Sequence, residues 1–382
     1  MSGAKTTAPS CTYLSARPRP PVAHPRDGRE PLEDVPVVRR SLVLLASLAL
    51  VAIAATPVAA RNPNAVNVFH VTVLQSDATD ASLVNGWGIV SGPTTPWWVS
   101  NEGTDTSTLY NGTTGAKVAL TVGVAGGPTG VVFNGASTFP VTPGGTNFAR
   151  FIFATLSGTV QAWTQGLASA VVEATARDDG SYTGLATGSV GTTPYLYAAD
   201  FANGRVDVYD GTFTLQDWGS AFTDPGLPAG YAPFGIQELG GSVFVAYALR
   251  GDDGDEVAGD GLGVVSAFGT DGSFQGRVAT GGALNAPWGL AWAPAGWGKF
   301  SNHLLVGNFG NGQVNAYRWT ADGWEARGHL KTANHKPLVI DGLWGLSFGK
   351  GAANNGPAST LFFAAGPEDE TEGQFGTITA GP

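Results

Sequence analysis

The densest run of side chains that could do chemistry is Arg250-Gly251-Asp252-Asp253-Gly254-Asp255-Glu256, with Asp260 just beyond it. Carboxylates interleaved with glycine are the residue types from which a hard cation such as Ca2+ collects six to eight oxygens. Asp252, Asp253, Asp255, Glu256 and Asp260 are therefore candidate ligands for Ca2+ or another divalent cation. The spacing is not that of an EF-hand, and a solvated acidic insertion is the simpler reading of the same run. A second set is aromatic and polar. Trp87, Phe234, Trp288 and Trp344 each stand immediately before a recurring glycine, and Asn101, Glu102, Asp200, Asn308 and Glu368 recur at another fixed place in the same pattern. Aromatic rings beside hydrogen-bonding groups suit sugars, and aromatic rings under a negative potential suit cations. Packing between neighbouring repeats would account for the same rings equally well.

Other chemistries leave no local signature. His70, His303, His329 and His335 are scattered, with His70 and His303 expected in strands and the other two beside an outer loop. No His-x-Glu or His-Glu-x-x-His zinc pattern, nucleophile elbow or phosphate loop is present. A Ser-His-Asp triad is joined by geometry rather than spacing and stays open on sequence grounds. Cys11 is the one cysteine, so residues 61–382 contain no thiolate nucleophile and no disulfide.

The elements that must position these residues follow from one pattern that returns six times, about every fifty residues. An x-Gly step opens a short apolar strand at Gly88, Gly130, Gly184, Gly235, Gly289 and Gly345, and a second strand then ends in a polar Gly/Asn/Asp turn. Repeats of that length built from four short strands predict an all-β fold, a six-bladed β-propeller. With 56 Gly, 24 Pro and 13% charged residues, the composition favours turns and apolar strands over amphipathic helices. Asn203-Gly204 and Asn311-Gly312 read as hairpin turns with both positions at positive φ. Blade six ends one outer strand short, at Phe375-Gly376-Thr377-Ile378, and the alternating segment from Val66 to Leu74 is expected to supply that strand. Such pairing would leave no open edge at the ring junction. Trp97, Trp98, Trp163 and Trp319 are expected in the core or on blade faces.

The first sixty residues differ in kind. Residues 1–38 are rich in Pro and Arg without hydrophobic period and read as a disordered or non-native upstream extension. Residues 39–60 read as a signal peptide: Arg39-Arg40, an apolar run from Leu42 to Ala55, and a small-residue cleavage site with Val58 and Ala60. A single membrane anchor is the competing reading of that run, and the flanking residues fit a twin-arginine signal poorly. Residues 61–382 then form a single domain with 13 basic and 26 acidic side chains. That balance repels phosphate backbones and anionic lipid, so nucleic acid and, after cleavage, membrane surfaces are not expected partners. A secreted or periplasmic monomer is the expectation.

Asn203-Gly204-Arg205-Val206-Asp207-Val208-Tyr209 and Asn311-Gly312-Gln313-Val314-Asn315-Ala316-Tyr317 resemble the NHL repeat of six-bladed propellers. Longer stretches, among them Asn85-Gly86-Trp87-Gly88, Asp255-Glu256-Val257-Ala258-Gly259, Ala286-Pro287-Trp288-Gly289-Leu290-Ala291, Leu305-Val306-Gly307-Asn308-Phe309-Gly310, Asp341-Gly342-Leu343-Trp344-Gly345-Leu346 and Phe362-Phe363-Ala364-Ala365-Gly366-Pro367, resemble an uncharacterised family of exported bacterial NHL-like propellers. Some members of that family carry a C-terminal PEP-CTERM sorting segment, which this sequence does not show before Pro382. The resemblance implies a fold and export, and it supplies no catalytic residues.

Two functions from different classes are consistent with these residues. One is a binding module that presents an aromatic and acidic channel mouth to a small molecule, a glycan or an exported protein. The other is a divalent-metal-dependent enzyme of the lactonase or lyase kind, with its site in the central channel. Convergence of three or more of Asn101, Glu102, Asp200, Asn308 and Glu368 on one point would favour the enzyme.

Overall fold

A computed structural model describes residues 67–141 and 147–381. The chain divides into two units, 1–56 and 57–382, and the described residues belong to the second. The upstream extension, the signal-peptide segment, Cys11 and Val66 lie outside the described residues.

Six four-stranded antiparallel sheets make the six blades of a β-propeller. Their innermost strands are Gly86–Val90, Pro128–Phe133, Tyr182–Val190, Tyr231–Leu239, Pro287–Trp292 and Leu343–Phe348, for blades 1 to 6 in turn. Each inner strand carries a register shift against its neighbour at the repeat motif, for example between Tyr182 and Gly184 and between Pro287 and Gly289. These are bulges, which bend a strand and re-aim a side chain.

The recurring glycines sit within these strands rather than at their opening turns, and none of the six has positive φ. They are glycine because each inner strand presses on the backbone of the next blade. A Cβ on Gly88 would stand 2.5 Å from the Thr129 carbonyl oxygen, and one on Gly345 would stand 2.6 Å from that of Trp87. Gly235 meets Trp288 and Gly289 meets Trp344 in the same way, while Gly130 meets the backbone of Gly184 and Leu185. The residue before each glycine therefore belongs to a closed ring around the axis. Two of these residues are threonines that bond to the following blade: Thr129 Oγ1 donates to the Tyr182 carbonyl at 2.7 Å and Thr183 Oγ1 to that of Phe234 at 2.8 Å.

The ring closes through the N-terminal strand, Phe69–Ser76, which pairs antiparallel with Gln374–Ala380 as the outer strand of blade 6. The predicted alternation does not translate into a buried face, because an outermost strand meets solvent on both sides: Val71 and Val73 are exposed. Phe69 is the anchor, buried 4.7 Å from Trp297 by ring centroids, and its amide donates to Lys331 of blade 5. Between successive blades lie six apolar clusters, one per junction, and a seventh lies on the axis. Trp97, Trp98 and Trp163 are buried in these junctions, and Trp319 lies exposed on a blade face.

The Asn-Gly turns differ from expectation. Gly204 and Gly312 are left-handed, at φ 66° and 65°, but Asn203 and Asn311 are not. In blade 3 the connection runs from Phe201 to Gly204, and the Asp200 carboxylate holds it by accepting from the Asn203 amide N–H and side chain. His303 precedes a strand instead of lying in one, and His329 ends one.

Candidate functional site at the channel mouth

The bulges aim four aromatic side chains at the axis, where they stack on one another. Trp87 and Trp344 lie nearly parallel with centroids 3.6 Å apart, and Phe309 covers the other partner in a second parallel contact with Trp344, at 4.1 Å. Phe234 and Trp288 meet this stack edge-on, and Phe201 packs on Phe234. Hydrogen bonds fix the rings: Trp288 Nε1 donates across the axis to the Thr183 carbonyl at 2.9 Å, and Trp344 Nε1 donates to Asn85 Oδ1 at 2.9 Å. Trp87, Phe234 and Trp344 are buried, and Trp288 is half-buried. The predicted aromatic set is thus brought together as a plug. Beneath it a void of about 20 Å3, lined in part by Gly88, Ile236, Trp288 and Leu346, has room for roughly one water.

Above the plug the rim is acidic. Asn85, left-handed at φ 47°, donates its side-chain amide to Glu102 Oε2 at 3.0 Å and to Glu370 Oε2 at 2.9 Å, so it ties two carboxylates to the Trp344 indole. Glu256 lies close enough to feel Glu370. Burial chiefly, and then the carboxylates of Glu370, Asp255 and Asp253, push the Glu256 carboxyl up to about 8. Glu370 is raised as well, by burial first and then by Glu102, Asp255 and Asp369, against the lowering effect of the Asn85 bond. Glu368, Asp369 and Glu370 form three consecutive left-handed residues, at φ 52°, 51° and 65°. Each L-residue held there costs roughly 1–2 kcal/mol. The turn is secured by Glu368 N–H to Asp341 Oδ2 and by Thr371 Oγ1 to the Glu368 carbonyl.

A cavity of about 320 Å3 opens beside this turn, lined by Phe309, Gly310, Ala258, Asp341, Gly342, Gly366, Asp369 and Glu370. Phe309 is the link between plug and cavity, since it both stacks on Trp344 and lines the wall.

The remaining predicted residues go elsewhere. Asn101 is buried and donates to Thr106 and Thr108 of its own blade. Asp200 is buried against Arg205, 3.1 Å away, in a network that includes Asp207 and Arg177. Asn308 is buried and donates to the Ala283 carbonyl and Asn311 Oδ1. Glu368 lies in the rim turn and bonds through its backbone, its N–H donating to Asp341 Oδ2 and its carbonyl accepting from Thr371 Oγ1. Of the five, Glu102 is bonded into the rim by its side chain and Glu368 by its backbone, and no two share a hydrogen-bond partner. Asn101, Asp200 and Asn308 occupy equivalent positions and each holds the tip of its own hairpin, Asn101 and Asn308 by donating from their side-chain amides and Asp200 by accepting at its carboxylate. Asp252, Asp253, Asp255 and Asp260 are exposed, and Glu256 is half-buried beside the rim. Among the described residues, no group of three or more His, Cys, Asp or Glu side chains is arranged to hold a metal ion.

Asn85, Phe309 and Asp341 were not among the candidates, and Glu370 lies in the run from Glu368 to Glu372 that the sequence offers as a second, weaker acidic loop. Asn85 was visible as the first residue of the Asn85-Gly86-Trp87-Gly88 motif, and Phe309 as the neighbour of Asn308. Nothing in the sequence pairs Asn85 with Glu370, 285 positions away, because ring closure brings them together.

Comparison with known proteins is consistent with this picture. An uncharacterised protein of Acanthamoeba polyphaga mimivirus, R648, is 30% identical over 323 residues, spanning 80% of this chain and 77% of its own length. The chain belongs to the family of this protein. A second uncharacterised mimivirus member, L690, is 30% identical over 322 residues, covering 78% of this chain and 81% of its own length. These relatives are viral rather than bacterial. Among solved structures, a protein of unknown function from Bacteroides thetaiotaomicron superposes with a TM-score of 0.53 at 9% identity, covering 81% of this chain and 76% of its own, which is a likeness of fold alone. No protein-family model matches the chain.

Proposed function

We propose that this protein is an exported binding module whose ligand sits at the acid-rimmed aromatic mouth of the propeller. The observation that carries the reading is the cavity of about 320 Å3 whose wall is the outer ring of the Trp87, Trp344 and Phe309 stack. Small-molecule sites are concave, apolar in their walls and supplied with a few convergent polar groups. Export rests on the arrangement of Arg39-Arg40, the Leu42–Ala55 run and the small residues to Ala60. The metal-dependent lyase or lactonase alternative requires ligating oxygens gathered at one point, and Asn101, Asp200 and Asn308 are each buried and hydrogen-bonded within their own blades.

A thermal-unfolding screen of small molecules, glycans and peptides tests the reading, run with and without EDTA on the wild type and on Phe309→Ala. Compounds that raise Tm in the wild type and fail to do so in Phe309→Ala support it. A panel whose effects are indifferent to Phe309, or a response that appears with divalent metal alone, would overturn it.

A further inference from the structure

Resting on that reading, we propose that the mouth cavity binds a small organic cation, held by the face of Phe309 and by the carboxylates of Asp341, Asp369 and Glu370. Three features of the site point to charge and to softness. The carboxylates at the mouth have no cationic partner: the ion pairs among the described residues join Lys117, Arg177, Arg205, Arg277 and Arg327 to acids elsewhere. Arg250, on the same acidic loop as Glu256, is turned away and donates to the carbonyls of Phe201 and Ala202 in blade 3. Asp341 and Asp369 are exposed and Glu370 is half-buried; carboxylates gathered without a countercharge repel one another, and a cation that enters relieves that repulsion.

The wall selects among cations. A hard metal ion needs a shell of converging oxygens, and one side of this cavity is the ring of Phe309, a non-ligand. An alkylammonium or guanidinium ion, weakly hydrated and apolar at its surface, gains from an aromatic face instead. Phe309 is well prepared for this contact, because the parallel stack behind it holds the ring in place and leaves its cavity side for the ligand. The volume, about 320 Å3, is at the small end of ligand sites and fits a single head group rather than a chain of sugars. Glu256, standing close to neutral at its position behind Glu370, is a reserve of negative charge that a bound cation would draw out by releasing its proton.

Isothermal titration of the full chain at pH 8.5 provides the test, with choline, its neutral isostere 3,3-dimethyl-1-butanol, agmatine and MgCl2 as probes. Choline or agmatine is expected to bind saturably with one site per chain, about tenfold more tightly than the isostere, a difference of about 1.4 kcal/mol. Glu370→Gln and Phe309→Leu should each weaken binding several-fold, and Asp369→Asn, at the exposed end of the turn, serves if either fails to fold. Glu325→Gln, on the outer strand of blade 5, should bind as the wild type does. Equal binding of the isostere would overturn the cationic ligand while leaving a neutral-ligand mouth intact. Competition by Mg2+ at lower concentration than choline would overturn it in favour of a metal, and absence of saturable heat from both organic cations would overturn it outright.

Discussion

Glu256 is the side chain whose state is most altered by the mouth. Its carboxyl stands at about 8 because burial, Glu370, Asp255 and Asp253 all disfavour the anion, and Glu370 shifts in the same direction. The folded protein therefore holds a proton there more tightly than the unfolded chain does. The stabilisation is complete below the ordinary carboxylate range and is lost as pH rises through about 8. Tm should accordingly fall between pH 6 and pH 9, and Glu256→Gln should flatten that fall and melt above the wild type at pH 9. Parallel slopes for the two proteins would show that Glu256 titrates normally. A different behaviour is expected of Trp344, which is buried between Trp87 and Phe309 and bonded to Asn85. Trp344→Ala opens a cavity at the centre of the ring and should cost about 3–5 kcal/mol of stability, measured by chemical denaturation. A loss under about 1 kcal/mol would mean that the plug is not part of the core.

The element that organises the site is the bulged inner strand, repeated six times. Its glycine was legible in the sequence, because a repeat every fifty residues needs no knowledge of contacts to be seen. Its purpose was not, because the steric demand comes from the next blade. Gly235→Ala should be severe, since its Cβ would overlap the Trp288 carbonyl and two inner strands would have to part. A loss of about 1–3 kcal/mol or more is expected from such overpacking. Gly204→Ala meets open space and carries only the left-handed strain of its turn, so it should cost less. Equal losses in the two variants would remove the close-approach account. The same distinction explains the candidate site. Trp87, Phe234, Trp288 and Trp344 were found together because the motif that marks them also aims them. Asn101, Asp200 and Asn308 are buried in hydrogen bonds within their own blades, because equivalent positions in a repeat signal equivalent local duties. Holding a hairpin tip is a commoner duty than binding. Asn85, Glu370 and Phe309 meet only through tertiary packing, which periodicity does not encode.

At the scale of the molecule, the site depends on closure of the ring. Asn85 belongs to blade 1 and Glu370 to blade 6, and their bond spans the junction that the N-terminal strand secures. Phe69→Ala should therefore lower stability by about 3–5 kcal/mol. Removal of residues 67–76 should abolish cooperative unfolding and, with it, ligand binding at the mouth. A truncated chain that melts like the full chain would show that blade 6 needs no fourth strand. The excess of acid over base in residues 61–382 works with the local rim, since both make the mouth a focus of negative potential. The most direct test of this account is hydrogen exchange on the full chain with and without whichever probe gives the largest rise in Tm. Protection is predicted at Asn85–Gly88, Ala286–Gly289, Leu343–Gly345 and Glu368–Gly373, which converge on the mouth from three blades. Protection confined to the outer strands, or to the opposite end of the channel, would contradict it.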